Sequence, residues 1–543
     1  MKTLFWNGKV YVDKGIYAEA VLTEGNRIAA VGRCEEVLAA AEAGGGDFEK
    51  IDCEGRTIIP GLNDTHLHLM LLGLQLNEVK ITGVKSIDEL VRVCRAFMET
   101  YPERVKDGMV AMGWNQDLFT EGEKRMPNRH DLDRISTEIP IVLDRVCAHA
   151  AVANTKAIEI LGLTADSPEI PGGEIRREAD GYPSGIFTEN ATTLAKSAVP
   201  KASDEMKKEA LRAASEYAAS LGLTTVQSND IGASWCGDAG FDLFREVYDA
   251  GEGKVRFHHQ MSFKTPEDFE AYLTAGEFTK PGYERDSMLT LGPLKLFKDG
   301  SLGARTALMK NGYVGDRENH GMNCTSKEEM DRFCQLAKQY GVQVATHAIG
   351  DLAASEVMDC YEKAFVDGKN KLRHSLVHCQ ITDQEILDRI VEKDILVQAQ
   401  PIFIDYDRNI VEPLCGQLLA ETSYNFGTLL KRGAHLSYGT DCPVESCNPF
   451  PNIYMAVTRK GADGKPEGGF YPQQCVDVET AIDAYTCESA YCEFKEDIKG
   501  RIKPGYLADL VVLDRDIFTC DPMEIKDILP VMTMVDGKIV YTR

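Results

Sequence analysis

The sequence predicts an α/β fold: a (β/α)8 barrel of the TIM type, with a composite β-sandwich from both termini and an inserted subdomain after strand one. Short apolar segments alternate with amphipathic helices through the middle of the chain, which is typical of parallel strands joined by helices. Short β segments lie at both chain ends, and a long segment separates the first two barrel strands. With 543 residues, 43% of them hydrophobic, the chain can bury one large core and a smaller one.

Eight short apolar segments are the candidate barrel strands. Helical periodicity follows several of them, with apolar residues recurring every three to four positions in 328–340 and 383–392. Eight such strand and helix units predict a barrel. The candidate strands are 57–62, 224–228, 254–261, 289–297, 342–347, 374–378, 395–400 and 434–439.

The chain ends predict one shared β domain. Residues 1–56 and 496–543 each contain short strands, and Asp536-Gly537 is typical of a hairpin turn. Neither segment is long enough to form a stable sheet alone, so we expect both to close one β-sandwich around the barrel at 57–495. Within the barrel, residues 77–189 are expected to form a lid-like subdomain with strands of its own.

Composition limits the partners and the compartment. The 60 Lys and Arg against 85 Asp and Glu give a net charge of -25, which repels nucleic acid and anionic membrane surfaces. The 16 cysteines include no Cys-x-x-Cys pair, which disfavours a zinc cluster and a disulfide framework. No segment has the apolar length of a membrane span, and Asn7-Gly8 interrupts the apolar start of the chain. We expect a cytoplasmic protein; the oligomeric state, a homo-oligomer included, stays open.

Polar residues at the carboxyl ends of the predicted strands are the candidate site, because barrels place their active sites there. His66 and His68 are two positions apart, point to one side of an extended chain and can bind one cation. His347 and His378 close the fifth and sixth strands, and Asp441 follows the eighth, where a carboxylate can bind metal and accept a proton. Taken singly, each histidine has a structural alternative, and Asp441 has that of a helix N-cap.

Lys295 is unusual because it lies in the fourth strand among Leu294, Leu296 and Phe297. An unpaired buried ammonium is costly, so its pKa should fall. The resulting neutral amine can add carbon dioxide and become a carbamate, an anion able to bridge two cations. The alternative is a side chain that extends past the strand end to reach solvent.

The order His-x-His, Lys, His, His, Asp resembles the amidohydrolase superfamily. Segments 292–303, 347–351, 373–378, 113–116, 149–154 and 500–510 are similar to its family-3 branch, the N-substituted formamide deformylase-like metal-dependent hydrolases. The resemblance covers nearly the whole chain. It implies one metal ion held by His66, His68 and Asp441, a second held by His347 and His378, and a carboxylated Lys295 bridging them, with zinc (Zn2+) as the default metal and one or two ions bound.

The resemblance also implies the chemistry. We expect a metal-dependent hydrolase that cleaves a carbon-nitrogen bond in a small molecule, a non-peptide amide, N-acyl or N-formyl group, by metal-activated water, with Asp441 taking the proton and passing it to the leaving nitrogen. A cyclic amidase or deaminase, and a metal-binding regulatory protein without turnover, are the alternatives. Trp114, His149 and Arg305 are candidate substrate contacts, with core packing as the alternative for Trp114. His258 and His259 are expected to be structural.

Overall fold

The computed structural model describes residues 2–43, 45–145, 150–168, 170, 173–189, 191–232, 240–276 and 283–543. The chain divides into two compact units. One contains Met1–Leu72 with Leu211–Arg543, and the other is Gly73–Ala210. The predicted insert, 77–189, lies inside the second unit, which extends beyond it at both ends.

The first unit contains an eight-stranded parallel sheet that curls into a nearly closed barrel. Its strands neighbour one another in chain order from the first to the eighth. The ends of the sheet meet through the Thr65 hydroxyl, which donates a hydrogen bond to the Tyr438 carbonyl at 3.0 Å. The predicted fold class is confirmed. The strands are β1 (Leu62–Leu67), β2 (Leu223–Ile231), β3 (Arg256–Met261), β4 (Leu289–Phe297), β5 (Val344–Ala348), β6 (Ser375–His378), β7 (Leu396–Ala399) and β8 (Leu436–Tyr438).

The first barrel strand differs from the prediction. Thr57–Pro60 pairs with Lys9–Asp13 and Leu510–Leu513 and therefore belongs to the sandwich, so the predicted barrel boundary at 57 falls before a sandwich strand. The barrel strand starts after Gly61, where a Cβ would stand 2.1 Å from the Thr224 hydroxyl. The predicted strand 57–62 thus spans the end of a sandwich strand and the start of a barrel strand, which Gly61 separates.

Helices of the first unit follow the barrel strands. The helix Lys327–Tyr340, predicted at 328–340, shows how one is defined locally: Ser326 and Glu329 form a capping box, and Gly341 ends the helix at φ 70°. Its apolar face buries Met330 and Phe333. The other helices that lie wholly in this unit are Cys34–Ala43, Phe241–Asp249, Pro266–Thr274, Asp351–Ala364, Gln384–Glu392, Ile404–Asp407, Val411–Cys415, Gln417–Ala420, Phe426–Lys431, Pro449–Thr458, Val478–Tyr485 and Cys487–Cys492. Leu69–Leu76 and Asp204–Ser220 each continue into the second unit.

The β-sandwich combines both chain ends. Its core joins Phe5 and Val21 from one sheet to Ile58, Leu510 and Met534 from the other. Asp536 and Gly537 form the predicted turn, with φ of 53° and 71°. One sheet contains Arg27–Gly32, Ala20–Glu24, Lys2–Trp6 and Phe48–Asp52; the other contains Lys538–Thr542, Pro530–Val535, Leu510–Leu513, Thr57–Pro60, Lys9–Asp13 and Ile16–Ala18.

The second unit is built on a five-stranded mixed sheet. Trp114 and Leu143 pack in the core on one face, whereas Val142 and Phe187 pack in the core on the other. Its strands in sheet order are Gly173–Arg177, Pro183–Glu189, Ala150–Ala153, Ile141–Arg145 and Met109–Trp114, and its helices are Ile87–Thr100, Pro102–Val105, Arg129–Asp133, Thr155–Ile160 and Ala191–Lys196. Across the described ranges of both units, no helix has the length and apolar character needed to cross a bilayer.

Candidate metal centre

Three buried side chains meet where β1 and β8 end. His66 lies in β1, His68 follows it, and Asp441 lies just after β8. Asp441 Oδ1 is 3.3 Å from His66 Nε2 and 3.2 Å from His68 Nε2. One ligand atom from each of the three lies within 4.8 Å of the others. Two imidazoles and a carboxylate at this spacing are a donor set suited to a divalent transition metal such as zinc.

Hydrogen bonds determine which ring nitrogen each histidine presents. His66 Nδ1 lies 2.7 Å from Gln260 Oε1 and His68 Nδ1 lies 3.0 Å from the Asn229 carbonyl, so both rings keep Nε2 for a ligand. His347 is the reverse case, because its Nε2 lies 3.0 Å from the Gly300 carbonyl and Nδ1 is left.

His347 and His378 close the other side of the centre. Their ring centroids are 4.4 Å apart, and the His378 ring is 5.6 Å from the His66 ring. His378 Nδ1 is 2.8 Å from Gln400 Oε1, which leaves its Nε2 as the ligand atom. The structure therefore brings the four predicted histidines to one end of the barrel.

Lys295 lies within the same centre. Its side chain is buried rather than extended to solvent, which excludes that alternative, and its Nζ donates to the Leu296 carbonyl at 3.3 Å and stands 3.6 Å from the Phe297 ring centroid. Burial lowers the pKa of Lys295 to about 7, although Asp441 opposes the shift. Burial therefore favours the uncharged form of this amine.

Burial and mutual charges set the protonation of the histidines. Burial lowers the pKa of His66 to about 4 and that of His347 to about 3, and the Lys295 ammonium adds to both shifts. The pKa of His378 falls well below its ordinary value, again first because of burial. Neutral imidazoles are the form that binds a metal ion.

Asp441 carries the opposite shift. Burial alone would raise its pKa, but the close contacts with the His66 and His68 rings hold the pKa well below the ordinary value. For His68, burial would lower the pKa, and the hydrogen bond to Asp441 raises it instead. Because the Asp441 carboxylate faces these two rings, the helix N-cap alternative does not describe it.

Two further aspartates shape the surrounding loops. Asp64 accepts hydrogen bonds from the Thr440 hydroxyl at 2.5 Å and the His66 backbone at 3.1 Å, and so fixes the residue before Asp441. Asp299 accepts three backbone hydrogen bonds, and its Oδ1 is 3.4 Å from His347 Nε2. Burial raises the pKa of each to about 7.

Our sequence reasoning missed the partners of the histidines, Gln260 and Gln400, together with the anchoring roles of Asp64 and Asp299. A signal existed for the glutamines. Gln260 lies in a fully buried strand, and Gln398 and Gln400 are two positions apart at the end of another. Amides buried in barrel strands need hydrogen-bond partners, so they indicate a polar interior.

The predicted substrate contacts have different outcomes. Trp114 is fully buried in the core of the second unit, where its indole N–H donates to the Leu143 carbonyl at 2.8 Å, a placement that favours its packing alternative. Arg305 is exposed in the loop after β4, at φ 55°. His149 lies outside the described residues.

His258 and His259 lie in β3 apart from the metal centre. His258 Nδ1 is 2.8 Å from the Thr290 hydroxyl, and His259 packs among Phe244, Phe257 and other rings. These surroundings agree with the expected structural role of both residues.

The barrel, its sandwich and the histidine-rich centre at the strand ends define a metal-dependent hydrolase. Residues 49–541 match the model of the amidohydrolase family, and the chain belongs to that family. It is 31% identical to YtcJ of Bacillus subtilis (strain 168) over 100% of both chains, and 27% identical to the N-substituted formamide deformylase of Arthrobacter pascens over 97% of this chain and 95% of that one. A solved metal-dependent hydrolase from Pyrococcus furiosus, 29% identical, superposes with a TM-score of 0.77 over 96% of this chain and 100% of the other.

Proposed function

We propose that this protein hydrolyses a carbon-nitrogen bond in a small molecule, a non-peptide amide, N-acyl or N-formyl group, with one or two zinc ions in the centre. The observation that carries the proposal is the buried group of His66, His68 and Asp441, with Lys295 beside it. When bound there, a divalent cation lowers the pKa of water and polarises a carbonyl oxygen. His66, His68 and Asp441 would hold one ion, and His347 and His378 a second.

Asp441 is the proposed proton carrier. Its carboxylate is buried at the end of β8, and its Oδ1 lies 3.3 Å from His66 Nε2 and 3.2 Å from His68 Nε2. In this role it accepts the proton of the attacking water and returns it to the leaving nitrogen, as general acid-base catalysis requires. A regulatory protein without turnover would not need this carboxylate together with the complete set of histidines.

Lys295 is the proposed bridge between the two ions. Its burial and its pKa of about 7 supply the neutral amine that addition of carbon dioxide requires. The amine nitrogen bonds to the carbon of carbon dioxide, one proton is released, and the product is a carbamate with a single negative charge. Such an anion would offset the positive charge of the cations, which an ammonium cannot do.

The proposed substrate is a small, uncharged or modestly polar amide. The relative from Arthrobacter pascens is an N-substituted formamide deformylase, which supports N-formyl amines as the first class to test. We propose that residues 77–189 cover the site and exclude polymers and that His149 and Arg305 contact the substrate. For Trp114, which is fully buried in the core of the second unit, we propose the packing role. Cyclic amides and deamination come next in the order of testing.

We propose a cytoplasmic location and no nucleic-acid or membrane partner. The acidic balance of the whole chain supports the second statement. The fourteen cysteines that the structure describes are all free thiols, as a reducing compartment requires.

The experiment combines metal analysis with a substrate panel. Protein purified without chelator should contain one or two equivalents of zinc, because sites supported by hydrogen bonds to their ligands hold metal tightly. Less than about half an equivalent after dialysis against zinc would contradict the site. The panel compares formamides, N-acyl amines and cyclic amides with peptides and polysaccharides. If peptides or polysaccharides were hydrolysed as fast as small amides, the proposal that residues 77–189 cover the site would be wrong. Unchanged KM and kcat in His149→Ala and Arg305→Ala would remove those two residues from the site.

A further inference from the structure

Three glutamines inside the barrel are connected by hydrogen bonds to one another and to two histidines of the candidate metal centre. Gln260 belongs to β3, Gln398 to β7, and Gln400 directly follows the end of β7. All three are buried. Buried amides are expensive unless they are hydrogen-bonded, so their partners show what they hold in place.

Gln260 connects to the first side of the centre. Its Oε1 lies 2.7 Å from His66 Nδ1, and its Nε2 donates to the Thr65 carbonyl at 2.8 Å. The carbonyl accepts only, so the nitrogen of this amide must face Thr65 and the oxygen must face His66. An amide oxygen also accepts only, which requires the proton of a neutral His66 to be on Nδ1.

Gln400 repeats this arrangement on the second side. Its Nε2 donates to the Gln398 carbonyl at 3.1 Å, and its Oε1 lies 2.8 Å from His378 Nδ1. The same argument fixes the amide and places the proton of a neutral His378 on Nδ1. Both rings therefore present Nε2 as the lone-pair nitrogen.

Gln398 joins the two sides. Its Oε1 accepts a hydrogen bond from Gln260 Nε2 at 3.3 Å, and its own Nε2 donates to the Ser375 hydroxyl and Cys492 sulfur, both at 3.1 Å. His66 and His378, assigned to different ions, are thus connected through Gln398, whose side chain accepts from Gln260 and whose main-chain carbonyl accepts from Gln400. The partners are uncharged amides, which fix the rings without adding negative charge next to the ligands.

We propose that Gln260 and Gln400 are positioning residues that fix His66 and His378 in the Nδ1–H tautomer, and that Gln398 makes the two sites one unit in which zinc affinity at each depends on both. This inference rests on the proposed metal-binding role of the histidines. It concerns residues that act on the ligands and touch neither substrate nor metal.

The first test needs neither metal nor activity. Long-range proton-nitrogen NMR spectra of the metal-free protein, with His66→Gln and His378→Gln variants to assign the signals, report which ring nitrogen carries the proton. We expect Nδ1–H for both rings in the parent and a mixture of tautomers for His66 in Gln260→Met. An Nε2–H tautomer in the parent would overturn the proposal whether or not the protein binds zinc.

The second test measures zinc affinity by competition with a chelator. Gln260→Met and Gln400→Met should each weaken zinc binding about 10- to 100-fold, the usual effect of losing a hydrogen bond to a metal ligand. Gln343→Met is the matched control, because Gln343 is also a buried amide that donates to two carbonyls, of Arg373 and Cys492, but contacts no candidate ligand. The zinc affinity of Gln343→Met should stay within about threefold of the parent's, a smaller change than the loss of about 10- to 100-fold expected for the other two variants.

The double variant Gln260→Met with Gln400→Met tests whether the two zinc sites depend on each other. If the amides act together, the loss in the double variant is smaller than the product of the two single losses. Independent losses would contradict the coupling, and an unchanged affinity in either single variant would contradict its positioning role. Expected tautomers in a parent protein that binds no zinc would leave the amide assignment standing and refute the proposed function instead.

Discussion

Asp441 is joined to His66 by backbone as well as by side chain. The Asp441 N–H donates to the His66 carbonyl at 2.8 Å, while Asp441 Oδ1 lies 3.3 Å from His66 Nε2. The residues on either side extend this connection, because the His68 N–H donates to the Cys442 carbonyl at 2.7 Å. The place where the barrel closes is therefore also the place where its carboxylate meets its histidines.

The first prediction concerns the carboxylate. Asp441→Asn keeps the size of the side chain and removes its capacity to accept a proton, so kcat should fall about 10²- to 10⁴-fold. KM should change less. Steady-state kinetics must be compared at matched zinc occupancy, since Asp441 is also a proposed ligand. Equal kcat in variant and parent under that condition would contradict the assignment.

The second prediction concerns Lys295. Lys295→Ala should lose activity and zinc, because no bridging carbamate can form. Short carboxylates such as formate or acetate should restore part of both by occupying the vacated space. Lys298→Met is the matched control: Lys298 is also buried, but it pairs with Glu356 at 2.7 Å and not with the centre. Any loss of activity or zinc in Lys298→Met should not be restored by formate or acetate. Full activity of Lys295→Ala without these acids would refute the bridging role of Lys295.

The sequence predicted the barrel and the six centre residues because both depend on local patterns. Strand and helix periodicity repeats within each unit, and each candidate ligand follows an apolar run. The division of residues 57–67 between two sheets could not be predicted in this way, since the apolar segment 57–62 crosses the boundary and only pairing with distant strands shows where one sheet ends. Gln260 and Gln400 were missed for the same reason, because their role depends on the histidine rings that they contact across the barrel, His66 and His378.

The third prediction concerns a buried ion cluster within the barrel unit. Glu493 is fully buried and forms ion pairs with the Lys499 ammonium at 2.5 Å and the Lys495 ammonium at 2.8 Å. Glu493→Gln leaves two buried ammonium groups without their carboxylate, which should cost about 3–5 kcal/mol and lower the thermal unfolding midpoint. Glu267→Gln, which breaks the exposed pair with Arg332, is the control and should change the midpoint little. Equal midpoints in the two variants would contradict this account.

The fourth prediction concerns pH. Burial alone would lower the pKa of His435, but the hydrogen bond and the charge of Glu488 raise it above the ordinary 6.5. The pKa of His435 is higher in the folded than in the unfolded protein. Its pairing with Glu488 therefore stabilises the fold fully below pH 6.5, and this stabilisation disappears as pH rises through the folded pKa. An NMR titration of His435 should show the raised value, and Glu488→Gln should lower it. An unchanged titration in that variant would refute the pairing.

The last prediction separates packing from substrate contact at Trp114. Trp114 and Phe119 are both fully buried in the same core of the second unit. Truncating either to alanine should cost about 3–5 kcal/mol, because each change leaves a cavity where a large ring was. If Trp114 acts only by packing, Trp114→Ala and Phe119→Ala will lower the unfolding midpoint by similar amounts and alter KM for the preferred amide alike. The measurements are thermal unfolding and steady-state kinetics of both variants below their midpoints. A rise in KM confined to Trp114→Ala would instead support a substrate contact, because the matched loss of packing at Phe119 would then have no such effect.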